Sequence, residues 1–233
     1  MKFISIKDLY PDLYEYIPGW IKGTYYCITG STGSGKSKFA RYSFAEWTYK
    51  YCKANNIPFV VIYFALEESE DFFWTTLLLD RLHERFGIHL TYYQYKGFHP
   101  GMTDEILAQV KEILPDIEDM KKYIQVIDNV SNPTGLLREI EERLRPFGEM
   151  IMGEPIQDEE GNVIISKRFK YHDPNFQPVI VADHIGLLSP ENNKFSAVNT
   201  LHLAITKWSD YVIKLICKRY SAIVASVHQQ GIS

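Results

Sequence analysis

The sequence predicts an α/β fold built on a doubly wound, mostly parallel sheet, and three observations predict it. Short continuous apolar runs rich in β-branched and aromatic residues occur at 59–66 and 178–182, the pattern of strands buried on both faces. Segments with apolar residues at helical spacing alternate with such runs, as βαβ units require. A glycine-rich turn, Gly30-Ser31-Thr32-Gly33-Ser34-Gly35-Lys36-Ser37, joins the first strand to the first long helix. It fits G-x-x-x-x-G-K-[ST], the phosphate-binding loop.

Taken in order, residues 1–19 form an aromatic lead-in with Pro11 and Pro18, ending in a Pro18-Gly19 turn. Residues 23–29 read as a buried strand. After the glycine-rich turn, Phe39, Ala40, Ser43, Phe44, Trp47 and Tyr51 recur at helical spacing over 36–52. The second strand at 59–66 ends in Glu67-Glu68-Ser69, and a helix follows to about Phe86 with Phe73, Leu77, Leu78 and Leu82 inward. Residues 91–95 are aromatic and fit either strand or helix. A helix is expected over 104–113 with Thr103 as N-cap, then a third strand at 123–127 and a helix from Pro133 to about Arg145. Residues 146–177 break the rhythm: 150–152 and 163–165 flank the polar Glu160-Gly161-Asn162, which suggests a β-hairpin insertion with Lys167, Arg168 and Lys170 on its return arm. This arm is read as a solvated hairpin or as a contact with nucleic acid or a neighbouring subunit. A fourth strand at 178–182, a helix over 196–220 and a fifth strand from Ala222 complete the alternation.

Composition narrows the function classes. The chain has 233 residues, 45% hydrophobic and 14% aromatic, enough for one domain with a sizeable core. No apolar run approaches the length of a membrane span, and the N-terminal stretch Met1-Lys2-Phe3-Ile4-Ser5-Ile6-Lys7-Asp8 meets a charge too early for a secretory signal. Cys27, Cys52 and Cys217 show neither metal spacing nor a disulfide framework and read as small buried hydrophobes, so a reducing cytoplasm is expected. The net charge of −4 argues against coating nucleic acid by bulk electrostatics, though not against a ring whose channel alone is basic.

In a parallel sheet ligands bind outside the carboxyl ends of the strands, so chemistry is sought there. The glycine-rich turn aims successive backbone N–H groups at an anion, Lys36 can reach the β/γ-phosphates, and the Ser37 hydroxyl can take a place on Mg²⁺. Asp183 ends the fourth strand, where a carboxylate can hold Mg²⁺ directly or through water. Glu67 ends the second strand, where it can orient and deprotonate a water that attacks the γ-phosphate; Glu68 is the weaker candidate. His228, Gln229 and Gln230 follow the fifth strand, where a neutral donor can sense the γ-phosphate. His184, beside Asp183, faces either the site or a subunit boundary. His83, His89, His99, His172 and His202 show no ligand spacing.

Five stretches together resemble the RecA-fold ATPase domain of DnaB-type replicative helicases, including phage relatives. They are the approach to the glycine-rich turn at 17–30, Phe64-Ala65-Leu66-Glu67-Glu68-Ser69, the run 127–136, the run 179–188 around Asp183, and 224–230 with His228 and Gln229 at its end. The resemblance covers roughly 17–230. It implies a RecA-like P-loop NTPase domain over 1–233, with ATP and Mg²⁺ as ligands, Glu67 as catalytic base, Asp183 as Walker B acid and His228 or Gln229 as sensor. It further implies movement on single-stranded DNA, a homo-oligomeric ring such as a hexamer, primase or helicase-loader partners, and a bacterial or phage-infected cytoplasm. The family carries DNA-binding loops, an arginine finger and closing strands after the sensor strand. These find no counterpart before Ser233, so a C-terminally incomplete domain is expected, and the 146–177 insertion is not typical of the family. The alternatives are a recombinase-like or regulatory ATPase on the same fold and, with Arg168 as its only candidate lid residue, a P-loop nucleotide kinase.

Overall fold

The computed structural model describes residues 3–157, 163–191 and 200–229. The chain opens with β1 (Phe3–Ser5), the short α1 (Pro11–Tyr14) and β2 (Gly19–Ile21), followed by β3 (Tyr25–Gly30). A continuous helical run, here the P-loop helix, comprises α2 (Lys36–Ala40), a π-helical segment (Arg41–Glu46) and α3 (Trp47–Ala54). Next come β4 (Phe59–Ala65), α4 (Glu70–Phe86), α5 (Tyr92–Tyr95), α6 (Asp104–Lys121), β5 (Ile124–Ile127) and α7 (Pro133–Leu144). The last elements are β6 (Gly148–Gln157), β7 (Val163–Tyr171), β8 (Gln177–Asp183), α8 (Leu201–Tyr211), a second π-helical segment (Val212–Cys217), α9 (Lys218–Tyr220) and β9 (Ile223–Gln229).

Five strands form one sheet in the order β3-β9-β8-β4-β5, every neighbouring pair parallel. Strand alternation divides its side chains between two cores. Val61, Tyr63, Val179, Val181, Ala225 and Val227 face the P-loop helix, α4 and α6. Val60, Ile62, Phe64, Ile180, Ala182 and Val224 face α7, α8 and α9. Helices therefore cover both faces, which explains why β4 and β8 are buried along their whole length. On the second face the wholly buried Trp208 donates its Nε1–H to Ser226 Oγ on β9 at 3.0 Å.

Several expectations need correction. Among the described residues β3 is an edge strand with β9 as its only ladder partner, none of its residues is fully buried, and Cys27 is exposed. A run of β-branched and aromatic residues does not distinguish a central strand from an edge. Cys52 and Cys217 are buried, as expected. The lead-in is more than turns: β1 and β2 pair antiparallel, with Ile4 opposite Trp20. Trp20 donates to Ser43 O at 2.8 Å and stacks on Phe44, while Trp47 donates to Ser5 O at 2.7 Å. The small sheet thus clamps the P-loop helix from outside. Gly19 is required there, since a Cβ would stand 2.0 Å from Ile4 O. Residues 91–95 form a short capped helix rather than a strand. α6 runs through Pro115 to Lys121, because Val110, Ile113, Ile117 and Met120 continue one buried stripe past the proline; burial outweighs the lost hydrogen bond.

β6 and β7 pair antiparallel from Gly148 opposite Tyr171 outward. The turn expected at Glu160-Gly161-Asn162 and the helix start expected at Ser196 lie outside the described residues, as does Gln230.

Removing the acceptor of the Trp208 bond while keeping the ring tests how far this second core depends on it. Ser226→Ala is expected to cost about 1–3 kcal/mol, because it leaves a buried N–H unpaired. Urea unfolding measures it, and a midpoint equal to wild type would show that the bond contributes nothing.

Candidate functional site

The site grows from how two strands end. β4 and β8 run in register so that Ala65 lies opposite Asp183, and the Leu66 N–H donates to Asp183 O at 2.7 Å. Glu67 and Glu68 leave β4 just beyond this bond, and Asp183 and His184, joined by a cis peptide, leave β8 beside them. On the other side, β3 pairs with β9 so that Gly30 lies opposite Gln229. The glycine-rich turn therefore starts level with the end of β9.

In that turn Gly33 and Gly35 have φ of 74° and 80°, the left-handed region that glycine adopts at least cost. These values let the loop wrap before the P-loop helix starts at Lys36. Lys36 Nζ donates to Ser31 O at 2.6 Å, so the ammonium is folded back over its own loop. Ser37 Oγ donates to Asp183 Oδ1 at 3.0 Å, and Tyr63 OH donates to Asp183 Oδ2 at 2.7 Å. Both carboxylate oxygens are thus satisfied, one from the P-loop helix and one from within β4.

The turn, Lys36, Ser37, Lys38, Glu67, Glu68, His184, Val227 and Gln229 line one cleft of about 310 Å³. Gln229 Nε2 donates to Thr32 Oγ1, a direct tie between the end of β9 and the loop. His228 is not among the lining residues. It lies between Val227 and Gln229, on the side of β9 that carries Ser226 beneath Trp208, and its Nδ1 is buried without a partner among the described residues. The two sensor candidates are therefore separated: Gln229 is in the cleft and His228 is not.

Electrostatics sharpen the picture. Burial raises the pKa of Asp183 above its ordinary value; Glu67 adds to this, while the Tyr63 and Ser37 O–H groups and His184 act against it. Burial likewise raises Glu68, with further repulsion from Asp183 and Glu67 and relief from Arg41. Tyr63 is raised by its own burial and by the adjacent Asp183 charge. Behind the cleft, Arg41 Nη2 donates to Asp80 Oδ2 at 2.6 Å and Arg81 Nη2 to Glu46 Oε2 at 2.7 Å, which binds the P-loop helix to α4. Sequence reading missed Tyr63, because its hydroxyl is hidden in an apolar run, and missed Arg41, whose only signal was a charge on an inward helix position. The half-buried Ser37 hydroxyl and the buried Asp183 carboxylate form a hard-donor set of the kind Mg²⁺ takes, so the residues present fit that ion. Among the described residues no cluster of three or more His, Cys, Asp or Glu suggests a site for another metal.

The parallel sheet covered by helices on both faces defines an α/β fold consistent with the RecA-like type. No protein-family model matches the chain, and no curated protein sequence matches it either. Among solved structures, a DnaB-like replicative helicase described with its interactions with primase superposes with a TM-score of 0.64 at 14% identity. The match covers 94% of this chain and 42% of that one, so the chain spans less than half the helicase's length. At this identity the likeness shows a DnaB-like fold.

Asp183 gives a stability prediction with a definite sign. Its folded pKa is raised, so both states are neutral well below the carboxylate range, and the native state loses stability as pH rises through the folded value. Asp183→Asn is therefore expected to raise the Tm of the ligand-free protein at neutral pH, by about 2–4 °C for each kcal/mol relieved. The gain should shrink as pH falls toward the carboxylate range. Thermal melts across pH measure it; a Tm difference independent of pH would contradict the assignment.

Proposed function

We propose that this chain binds and hydrolyses ATP with Mg²⁺ in the cleft at the strand ends, and uses the cycle to move along single-stranded DNA as a DnaB-like ATPase core. The observation that carries the reading is convergence: the glycine-rich turn, Ser37 and Glu67 line one cleft, and Asp183, from a further strand end, is bonded to Ser37. Backbone N–H groups of 33–37 would hold the β- and γ-phosphates at the start of the P-loop helix, where the helix dipole favours anions. Lys36 would exchange Ser31 O for phosphate oxygen. Ser37 and Asp183 would hold Mg²⁺, which when bound neutralises charge on the phosphates. Glu67 would take the proton of the attacking water, and Gln229 would register loss of the γ-phosphate through its bond to Thr32.

The coupling to DNA, a ring of like subunits supplying an arginine finger in trans, a primase or loader partner and a cytoplasmic setting rest on the fold likeness and on the motif resemblance. No helix of the described residues is long and apolar enough to cross a membrane. We read 1–233 as one RecA-like domain, with the β6–β7 ribbon as an insertion into it. A kinase lid is disfavoured, because Arg168 lies on β7, whose exit leads to the start of β8. That point is about 20 Å of strand away from Asp183.

The test is ATP turnover by the purified chain with and without single-stranded DNA, beside Lys36→Ala. Turnover stimulated by DNA and abolished in the variant is expected. Turnover indifferent to DNA would instead favour a regulatory ATPase.

A further inference from the structure

The geometry points to His184 as the positioning residue for Glu67, an inference that rests on the reading of Glu67 as the base. The His184 Nδ1 accepts the Gly186 N–H at 3.2 Å. A ring that accepts at Nδ1 carries its proton on Nε2 when neutral. That Nε2 stands 3.6 Å from Glu67 Oε2, an ion-pair distance just beyond hydrogen-bond range, so the remaining N–H of the ring lies beside the carboxylate.

Two further observations show that the ring is the fixed member of the pair. His184 is 13% exposed at its side chain against 59% for Glu67. Gly186 leaves the imidazole its room: a Cβ there would stand 2.8 Å from His184 Nδ1 and 2.9 Å from Cε1, so the ring lies flat on a backbone that has no side chain. An exposed glutamate samples many rotamers, and only a few place an oxygen on a water in line with a phosphate. A half-buried ring with a fixed tautomer, just beyond the strand that carries Asp183, removes that freedom. It holds Oε2 and leaves Oε1 for the water. This is the base-and-orienter arrangement found wherever a catalytic base is itself held by a third group. Among the described residues the ion pair of His184 is with Glu67 and not with the neighbouring Glu68.

Two measurements on the purified full chain test the assignment. The first needs no turnover: long-range ¹⁵N correlation of the histidine rings should find His184 as the Nε2–H tautomer. Its Nε2 resonance should shift in Glu67→Gln while Nδ1 stays. An Nδ1–H ring, or an Nε2 signal indifferent to Glu67→Gln, overturns the inference whatever the activity.

The second is kinetic. His184→Leu should lower kcat about tenfold or more with the Kd for ATP unchanged, and Gly186→Ala, which crowds the ring, should lower it in the same direction. His184→Gln, whose amide N–H reaches where Nε2 does, should recover most of the loss. The double variant Glu67→Gln/His184→Leu should turn over no more slowly than Glu67→Gln alone, because two residues acting as one unit are not additive. Wild-type kcat in His184→Leu, or losses that multiply in the double variant, overturns the positioning role. Wild-type kcat in Glu67→Gln would instead remove Glu67 as base, a separate failure that the same set of variants identifies.

Discussion

The structure depends on the register of β4 against β8. Because Ala65 lies opposite Asp183, both strands end at the same level, and the Leu66 N–H closes the last rung on Asp183 O. A slip of β4 by one residue would turn Tyr63 to the α7–α8 face, and the same slip of β8 would send Asp183 to the wrong side of the sheet. It would also exchange every other side chain between the two cores, so the site is held in place by the whole of the hydrophobic patterning. The hydrogen bond from Tyr63 OH to Asp183 Oδ2 links the two strands once more, through their side chains.

That register concentrates negative charge. Asp183, Glu67 and Glu68 leave two adjacent strand ends, and each raises or is raised by another. The compensating groups come from the P-loop helix: Ser37 donates to Asp183, and Arg41 relieves Glu68 while paired with Asp80. Lys36 contributes nothing to the carboxylates in this state, since it is folded onto Ser31 O. The ligand-free cleft is therefore acidic on its strand side and rich in N–H donors on its loop side. A cation at the former and an anion at the latter relieve both, which is the charge distribution a metal-bound nucleotide presents.

Much of this was legible in the sequence, and the exceptions have physical reasons. β4 and β8 announce themselves because burial on both faces removes every polar residue from their middles, and the glycine-rich turn because only one residue type tolerates φ near 75° at Gly33 and Gly35. The edge position of β3 was not legible, because strand order is a property of the assembled sheet. The separation of His228 from Gln229 follows from a period of two, yet it emerges only once Val227 is known to face the P-loop helix. α6 continues past Pro115 because tertiary burial overrides a local breaker. The β1–β2 clamp was hidden because each strand has three residues, too few to show alternation.

The clamp also fixes the helix behind the loop. Trp20, Trp47 and Tyr10 tie the π-helical segment and its flanks to β1, β2 and the lead-in from one side, and Asp80 and Arg81 of α4 tie Arg41 and Glu46 from the other. Burial raises Glu46 despite Arg81 and Arg41 beside it, so this pairing is held at an energetic cost. What it secures is position: Ser37 sits one helical turn from Arg41, and any sliding of the helix would break the bond from Ser37 to Asp183. The turn itself is tied by one side-chain bond within it, Lys36 to Ser31, and by one to the end of β9, Gln229 to Thr32. A helix held from both sides keeps Ser37 against Asp183, and so keeps the glycine-rich turn at the strand ends whose register builds the site.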